Sequence, residues 1–256
     1  MNTLTHIDCS FFRGQDASLD TSSYVALNPR SQPGSVVLAG AVAARGNIGG
    51  QVACRLSLQH FVEGVEDYFQ SRKMAAAGDS SAPLEAREFS LEILEAGFKR
   101  ANDSVYSFGH KLAAGGRLAA SLLGIVVEDN LIAAGRVGQG SAYLFRQGSL
   151  FPFFVKGDAG SGNGQPAESF VGSNSLVSVE LASVPLQASD LVLLFSSEFS
   201  PGIEKDLTGM LNNSDLESGN LCARLVSRVC RAPQEMAFAM LARFGPDSIF
   251  LSDALI

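Results

Sequence analysis

The sequence predicts a layered α/β sandwich, and three observations carry that expectation. Two long stretches keep apolar residues at helical spacing and follow one another along the chain. Short apolar runs separated by turn residues come next, in the rhythm of antiparallel strands. Helical spacing then returns toward the C-terminus. Helices thus come in pairs outside blocks of antiparallel strand, and no shift in composition marks a boundary. The 256 residues are therefore expected to form a single domain, 1–256.

Taken in order, Val36-Val37-Leu38-Ala39 follows Pro33-Gly34 and reads as a buried strand. Gly46, Gly49 and Gly50 interrupt it and lead into a helix over 50–72. There Leu58, Phe61, Val62, Val65 and Phe69 fall on one face. Residues 74–83, rich in Ala, Gly, Ser and Pro, are expected to form a loop. A second helix over 85–109 carries Leu91, Leu94, Phe98, Ala101, Val105 and Phe108 at steps of three and four. The two stripes imply an antiparallel helix pair packed on a core. Four strand-like runs follow: Ser121 to Val127, Leu131 to Val137, Ser141 to Arg146 and Ser149 to Val155. The turns Asp129-Asn130, Gly138 to Gly140 and Gln147-Gly148 divide them, so the sequence predicts an antiparallel meander. Gly157 to Gly164 is a glycine-rich loop, Leu176 to Leu181 alternates as a strand does, and Leu191 to Phe195 is apolar enough for burial on both faces. Helical patterns are read over Ile203–Leu211, Leu216–Cys230 and Gln234–Phe244, with a last strand at Ser248 to Leu251.

Composition narrows the function. Net charge is −7 and the pI is near 5.0, whereas a phosphate-backbone binder presents a basic field, so nucleic acid is not an expected partner. The longest apolar run, Leu118 to Val127, has about half the ~20 residues a membrane span needs, so no membrane association is expected either. Cys9, Cys54, Cys222 and Cys230 form no CxxC pair, and the three histidines add no zinc spacing. Free thiols in a reducing cytoplasm are the simple reading. There is no GxSxG, no HExxH and no phosphate loop with its lysine. Gly46-Asn47-Ile48-Gly49-Gly50 ahead of a helix reads either as a tight strand-to-helix turn or as backbone N–H groups able to cradle an anion.

Several segments, taken together, resemble the metal-dependent protein phosphatases of the PPM (type 2C) family. Val37 to Ala44 followed by Gly49-Gly50-Gln51-Val52-Ala53-Cys54-Arg55 stands where that family has a strand ending in Asp-Gly-Met-Gly-Gly and a helix opening Gly-Glu-Val-Ala-Ser. Lys99-Arg100-Ala101-Asn102 is similar to its helix ending in Ala-Asn. Val137-Gly138-Gln139-Gly140-Ser141-Ala142-Tyr143-Leu144-Phe145-Arg146-Gln147-Gly148 resembles Val-Gly-Asp-Ser-Arg-Ala-Tyr-Leu-Tyr-Arg-x-Gly, the strongest match. Ser189-Asp190-Leu191-Val192-Leu193-Leu194-Phe195-Ser196-Ser197-Glu198 resembles Gly-Asp-x-Leu-Leu-Leu-Cys-Ser-Asp-Gly. The resemblance implies an α+β fold, a four-layer α-β-β-α sandwich of two antiparallel sheets flanked by helix pairs. It also implies a centre of two divalent cations, Mn or Mg, held by aspartates between the sheets, which activate a water against a phosphate.

The chain departs from the family where the metals would bind. The first aspartate falls at Val42, and no acid occurs from Thr21 to Val62. The aspartate of Val-Gly-Asp-Ser is Gln139, and that of Ser-Asp-Gly is Ser197, followed by Glu198. Asp16 and Asp247 remain at family positions, and Phe11 stands where the family has its phosphate-binding arginine. A hard dication without carboxylates loses most of its binding free energy. The resemblance therefore implies no metal cofactor and an inactive relative that binds a protein partner: a phosphoprotein, a kinase or a phosphatase. The competing expectations are a divergent enzyme with a Mn or Mg site rebuilt from Asp16, Asp247 and Glu198, and a small-ligand sensor. The vacated cleft would be lined by Val42, Arg45, Gln139, Ser197 and Glu198, and is expected to be neutral to positive.

Overall fold

A computed structural model describes residues 6–13, 22–27, 29, 35–78, 86–112, 118–128, 130–154, 169–187, 189–213, 221–229, 237–245 and 250–251. In chain order the elements are β1 (His6–Arg13), β2 (Ser22–Leu27), β3 (Val36–Ala43), α1 (Ile48–Gly78), α2 (Ala86–Lys111), β4 (Ala120–Glu128), β5 (Leu131–Val137) and β6 (Ser141–Arg146). They continue with β7 (Ser149–Pro152), β8 (Glu180–Pro185), β9 (Leu191–Phe195), α3 (Pro201–Asn213), α4 (Leu221–Val229), β10 (Phe238–Gly245) and β11 (Phe250–Leu251). The strands form a six-stranded sheet in the order β11-β1-β10-β9-β6-β7 and a five-stranded sheet in the order β2-β3-β4-β5-β8. Neighbours pair antiparallel except β1 and β11, which run parallel.

Side-chain parity explains the layers. On β4 every residue is buried: Leu122 and Val126 face α1 and α2, while Leu123, Ile125 and Val127 face the other sheet. On β9, Val192 and Leu194 point between the sheets, and Leu191, Leu193 and Phe195 pack under α3 and α4. A strand buried on both faces must be apolar throughout, which is why the period-two signal fades in these runs. The result is the α-β-β-α sandwich expected from the sequence. The outer pair α1 and α2 runs antiparallel: Phe61 meets Phe98 edge-on at 5.1 Å, and Phe69 meets Phe89 at 6.0 Å. Complete burial of rings such as Phe61 and Phe98 contributes about 1.5–3 kcal/mol each.

Four sequence expectations are corrected. The expected meander is two hairpins in different sheets: β4 pairs β5 in one, β6 pairs β7 in the other, and the chain crosses between sheets at Gly138–Gly140. Gln234–Phe244 does not hold a helix but the strand β10, with Phe238, Met240, Ala242 and Phe244 on the inter-sheet face and Ala239 and Leu241 on the other. Helix α1 runs on through Ala75, Ala76 and Ala77 to Gly78, because alanine favours helix over loop. The strand read at Leu176–Leu181 begins only at Glu180. The glycine-rich run at Gly157–Gly164 lies outside the described residues. Among the described residues, no helix is long and apolar enough to cross a membrane.

Candidate functional site

The site is built at one end of the space between the sheets, where β3, β4 and β5 come opposite the β9–α3 connection. Val42 on β3 pairs with Ser121 on β4, and Val42 packs against the inter-sheet core. On β5, Ile132 and Ala134 lie in that same core. Two residues further on the same face comes Arg136. The chain then turns across at Gly138 and Gly140, whose φ angles of 81° and 118° lie in the left-handed region that glycine adopts readily. Within this crossover the Gln139 N–H donates to Ser121 Oγ at 2.9 Å, which anchors the turn to β4. From the other sheet, the Ser141 hydroxyl donates to the Ser197 carbonyl at 2.7 Å. The Ser196 hydroxyl oxygen accepts from the N–H groups of Ala237 and Phe238 at 2.9 and 3.2 Å. Serine hydroxyls bonded to backbone groups thus hold the segment 196–197 against β6 and β10.

Ser121 thus links Val42, its partner across β3 and β4, to Gln139 in the crossover, while Ser197 and Glu198 are held from the facing sheet. What joins them is a residue that spacing did not single out. The guanidinium of Arg136 donates from Nη1 to the Gly140 carbonyl at 2.9 Å and to Glu198 Oε1 at 2.8 Å. From Nη2 it donates to both oxygens of Glu180 on β8, at 3.0 and 2.8 Å. Its carbon lies 4.9 Å from the centroid of the Phe154 ring. The Arg136 side chain is 8% exposed, whereas those of Glu180 and Glu198 are 54% and 50% exposed. Arg136 Nε is buried without a hydrogen-bond partner. The only signal in the sequence was one cation inside the otherwise apolar run from Leu131 to Val137. Such a charge stays buried only when it is paired.

Arg45 takes a different place. It sits in the exposed turn between β3 and α1, where its carbonyl accepts the Asn47 N–H at 2.9 Å. The Asn47 side chain caps α1, accepting the Gly50 N–H at 2.7 Å. The Gly50 N–H is thus already used, and of the two readings of Gly46–Gly50 the geometry supports the strand-to-helix turn. Asp16 and Asp247 lie outside the described residues.

Val42 offers hydrocarbon, Gln139 and Ser197 offer neutral oxygens, and Glu198 is held by a guanidinium. These four described residues alone do not make the shell of several carboxylate or carbonyl oxygens that a hard dication takes. Among the described residues, no group of three or more His, Cys, Asp or Glu comes together as a metal site. The described rim around Arg136 sets one guanidinium against the two carboxylates of Glu180 and Glu198. Behind the rim, Tyr143 donates to Glu204 on α3 at 2.9 Å. Burial first, and then that bond, hold its phenol far above the usual tyrosine range.

No family model and no curated protein matches the chain by sequence. Its backbone, however, is similar to solved serine/threonine phosphatases of the type 2C kind. The catalytic domain of PstP, solved in complex with two manganese ions, superposes with a TM-score of 0.64 at 17% identity, over 94% of this chain and 98% of that one. PppA of Pseudomonas aeruginosa, described as a key regulatory component of a type VI secretion system, gives a TM-score of 0.65 at 15% identity, over 94% and 99%. The serine/threonine phosphatase of S. agalactiae gives 0.62 at 15%, over 94% and 99%. At such identities the likeness establishes the fold, and function rests on the site.

Proposed function

We propose that this chain is a catalytically inactive relative of the type 2C phosphatases, a regulatory or scaffolding module that works by binding another protein. The observation that carries this reading is the set of residues standing at the family's metal positions. Residues at three family metal positions, Val42, Gln139 and Ser197, carry no charge, and a buried guanidinium holds the neighbouring Glu198. Two-metal hydrolysis needs dications that lower the pKa of a bound water and neutralise a phosphate. A cleft with a resident cation and no free carboxylate among its described residues supplies neither.

The reading carries three further proposals: no resident metal, a protein partner that is a phosphoprotein, a kinase or an active phosphatase, and residence in the cytoplasm. The acidic balance of the chain, −7 overall, supports a protein rather than a nucleic-acid partner. A second reading draws on the neighbours, which are phosphatases, one of them solved with two manganese ions. In it, Asp16, Asp247 and Glu198 rebuild a site for Mn or Mg. An assay on a phosphothreonine peptide and on p-nitrophenyl phosphate, with millimolar Mn²⁺, separates the two. The inactive reading expects turnover no faster than the uncatalysed blank. Turnover that Asp247→Asn abolishes would establish the divergent enzyme in its place.

A further inference from the structure

Arg136 sits between two carboxylates that belong to different sheets. Glu180 is on β8 of the five-stranded sheet, and Glu198 follows β9 of the six-stranded one. The same guanidinium also binds the Gly140 carbonyl in the crossover that links the sheets. One cation thus ties three points around the open end of the cleft, with carboxylates and a carbonyl as acceptors, the ligand types a divalent ion would use there. We infer that Arg136 is a built-in cation of this chain, filling a cation site between the sheets and withholding Glu180 and Glu198 from any divalent ion.

Chemistry supports the assignment. A guanidinium presents its donors in a planar fork, which matches the two-oxygen contact with Glu180 and leaves Nη1 for Glu198. The cross-link is made by the chain's own side chains and needs no metal supply. A dication approaching Glu198 would meet a fixed like charge and lose a ligand already in use. The Phe154 ring, with its centroid 4.9 Å from the guanidinium carbon, adds a cation–π contact. The inference rests on the inactive reading above, and its test is separate from hydrolysis.

The test compares Mn²⁺ binding, read by electron paramagnetic resonance, in wild type, Arg136→Met and the double variant Arg136→Met/Glu198→Gln. Removing the resident cation frees two carboxylates, so Arg136→Met should bind Mn²⁺ about tenfold or more tightly than wild type, and the added Glu198→Gln should reverse the gain. Equal affinity in wild type and Arg136→Met would overturn the inference. Glu198→Gln alone, at a half-exposed side chain, keeps the idea testable if Arg136→Met does not fold. Amide hydrogen exchange in 138–140 and 196–199 should then quicken, and unchanged exchange in both segments would equally overturn it. Phosphoester hydrolysis by wild type would count against the preceding reading alone, because neither comparison here depends on turnover.

Discussion

Asp190 shows how a polar side chain comes to be buried in this protein. It is 1% exposed, and its oxygens accept Arg146 Nε at 2.8 Å, Arg146 Nη2 at 2.6 Å and the Gln187 N–H at 2.8 Å. Replacing it by alanine removes the acceptor of Arg146 Nε and of the Gln187 N–H and leaves Arg146 only the Pro185 carbonyl, so Asp190→Ala should cost about 3 kcal/mol in urea unfolding. Cys54 gives a second test. Burial pushes its thiol up to about 11 from an ordinary value of 9.0. Below roughly pH 8 both folded and unfolded chains hold the proton, and stability does not depend on this group. Between about 9 and 11 the unfolded chain releases the proton first, so stability should fall as pH rises, and Cys54→Ala should flatten part of that slope. In the native protein at pH 8, a thiol reagent should leave Cys54 unmodified until the chain unfolds. At this scale the sequence named candidates only through the resemblance. Val42, Gln139 and Ser197 were picked out because the family pattern fixes their spacing. Arg136 could not, because its acceptors Glu180 and Glu198 lie 44 and 62 residues away in sequence, and nothing local marks them as partners.

Elements were legible where one face of a segment is apolar and the other is not. The pair α1 and α2 met that condition, and Phe61, Val65, Phe98 and Val105 lie on the buried stripe as expected. Strand β10 did not, because a strand covered by a sheet on one face and helices on the other has no polar face to set its period. The crossover at Gly138–Gly140 was legible as a turn, yet no local residue states whether a turn returns to the same sheet or passes to the facing one. The helix pair offers the sharper experiment. Phe61 packs on Phe98 and over Gly124, and a Cβ at Gly97 would lie 2.9 Å from the Phe61 ring. Phe61→Ala should cost about 3–5 kcal/mol through the cavity it leaves. Gly97→Ala alone should cost about 1–3 kcal/mol by crowding that ring. In the double variant the added methyl enters the space Phe61 vacated, so the two losses should fall short of additive by more than about 0.5 kcal/mol in a thermodynamic cycle. Strict additivity would show that the helices move apart rather than holding their spacing.

Across the whole molecule, the core between the sheets belongs to neither sheet alone. Leu38, Leu123, Ile125, Ile132 and Ala134 come from the five-stranded sheet, and Ala142, Leu144, Val192, Leu194, Phe238 and Met240 come from the six-stranded one. Phe238 reaches across to Tyr24, ring centroids 6.4 Å apart, and the Ser22 hydroxyl donates to the Ala237 carbonyl at 3.2 Å. If either sheet unfolded alone, the other would expose one whole apolar face to water. At about 25 cal/mol per Å² of apolar surface, that exposure outweighs anything a lone sheet with one helix pair retains. The chain should therefore lose secondary structure and packing in one step. Far-ultraviolet circular dichroism, which follows all the elements, and near-ultraviolet dichroism, which reports tyrosines on both sides of the cleft such as Tyr24 and Tyr143, should give coincident urea curves. Amide exchange in the native state should show a matching order, with β4, buried along its length and paired on both sides, slowest, and the edge strand β7, largely exposed and paired on one side, fast. Two separate urea transitions, with β4 and β9 protected to different degrees between them, would mean that the sheets fold as independent units. The single domain expected from the sequence would then have to be divided along the plane of the cleft.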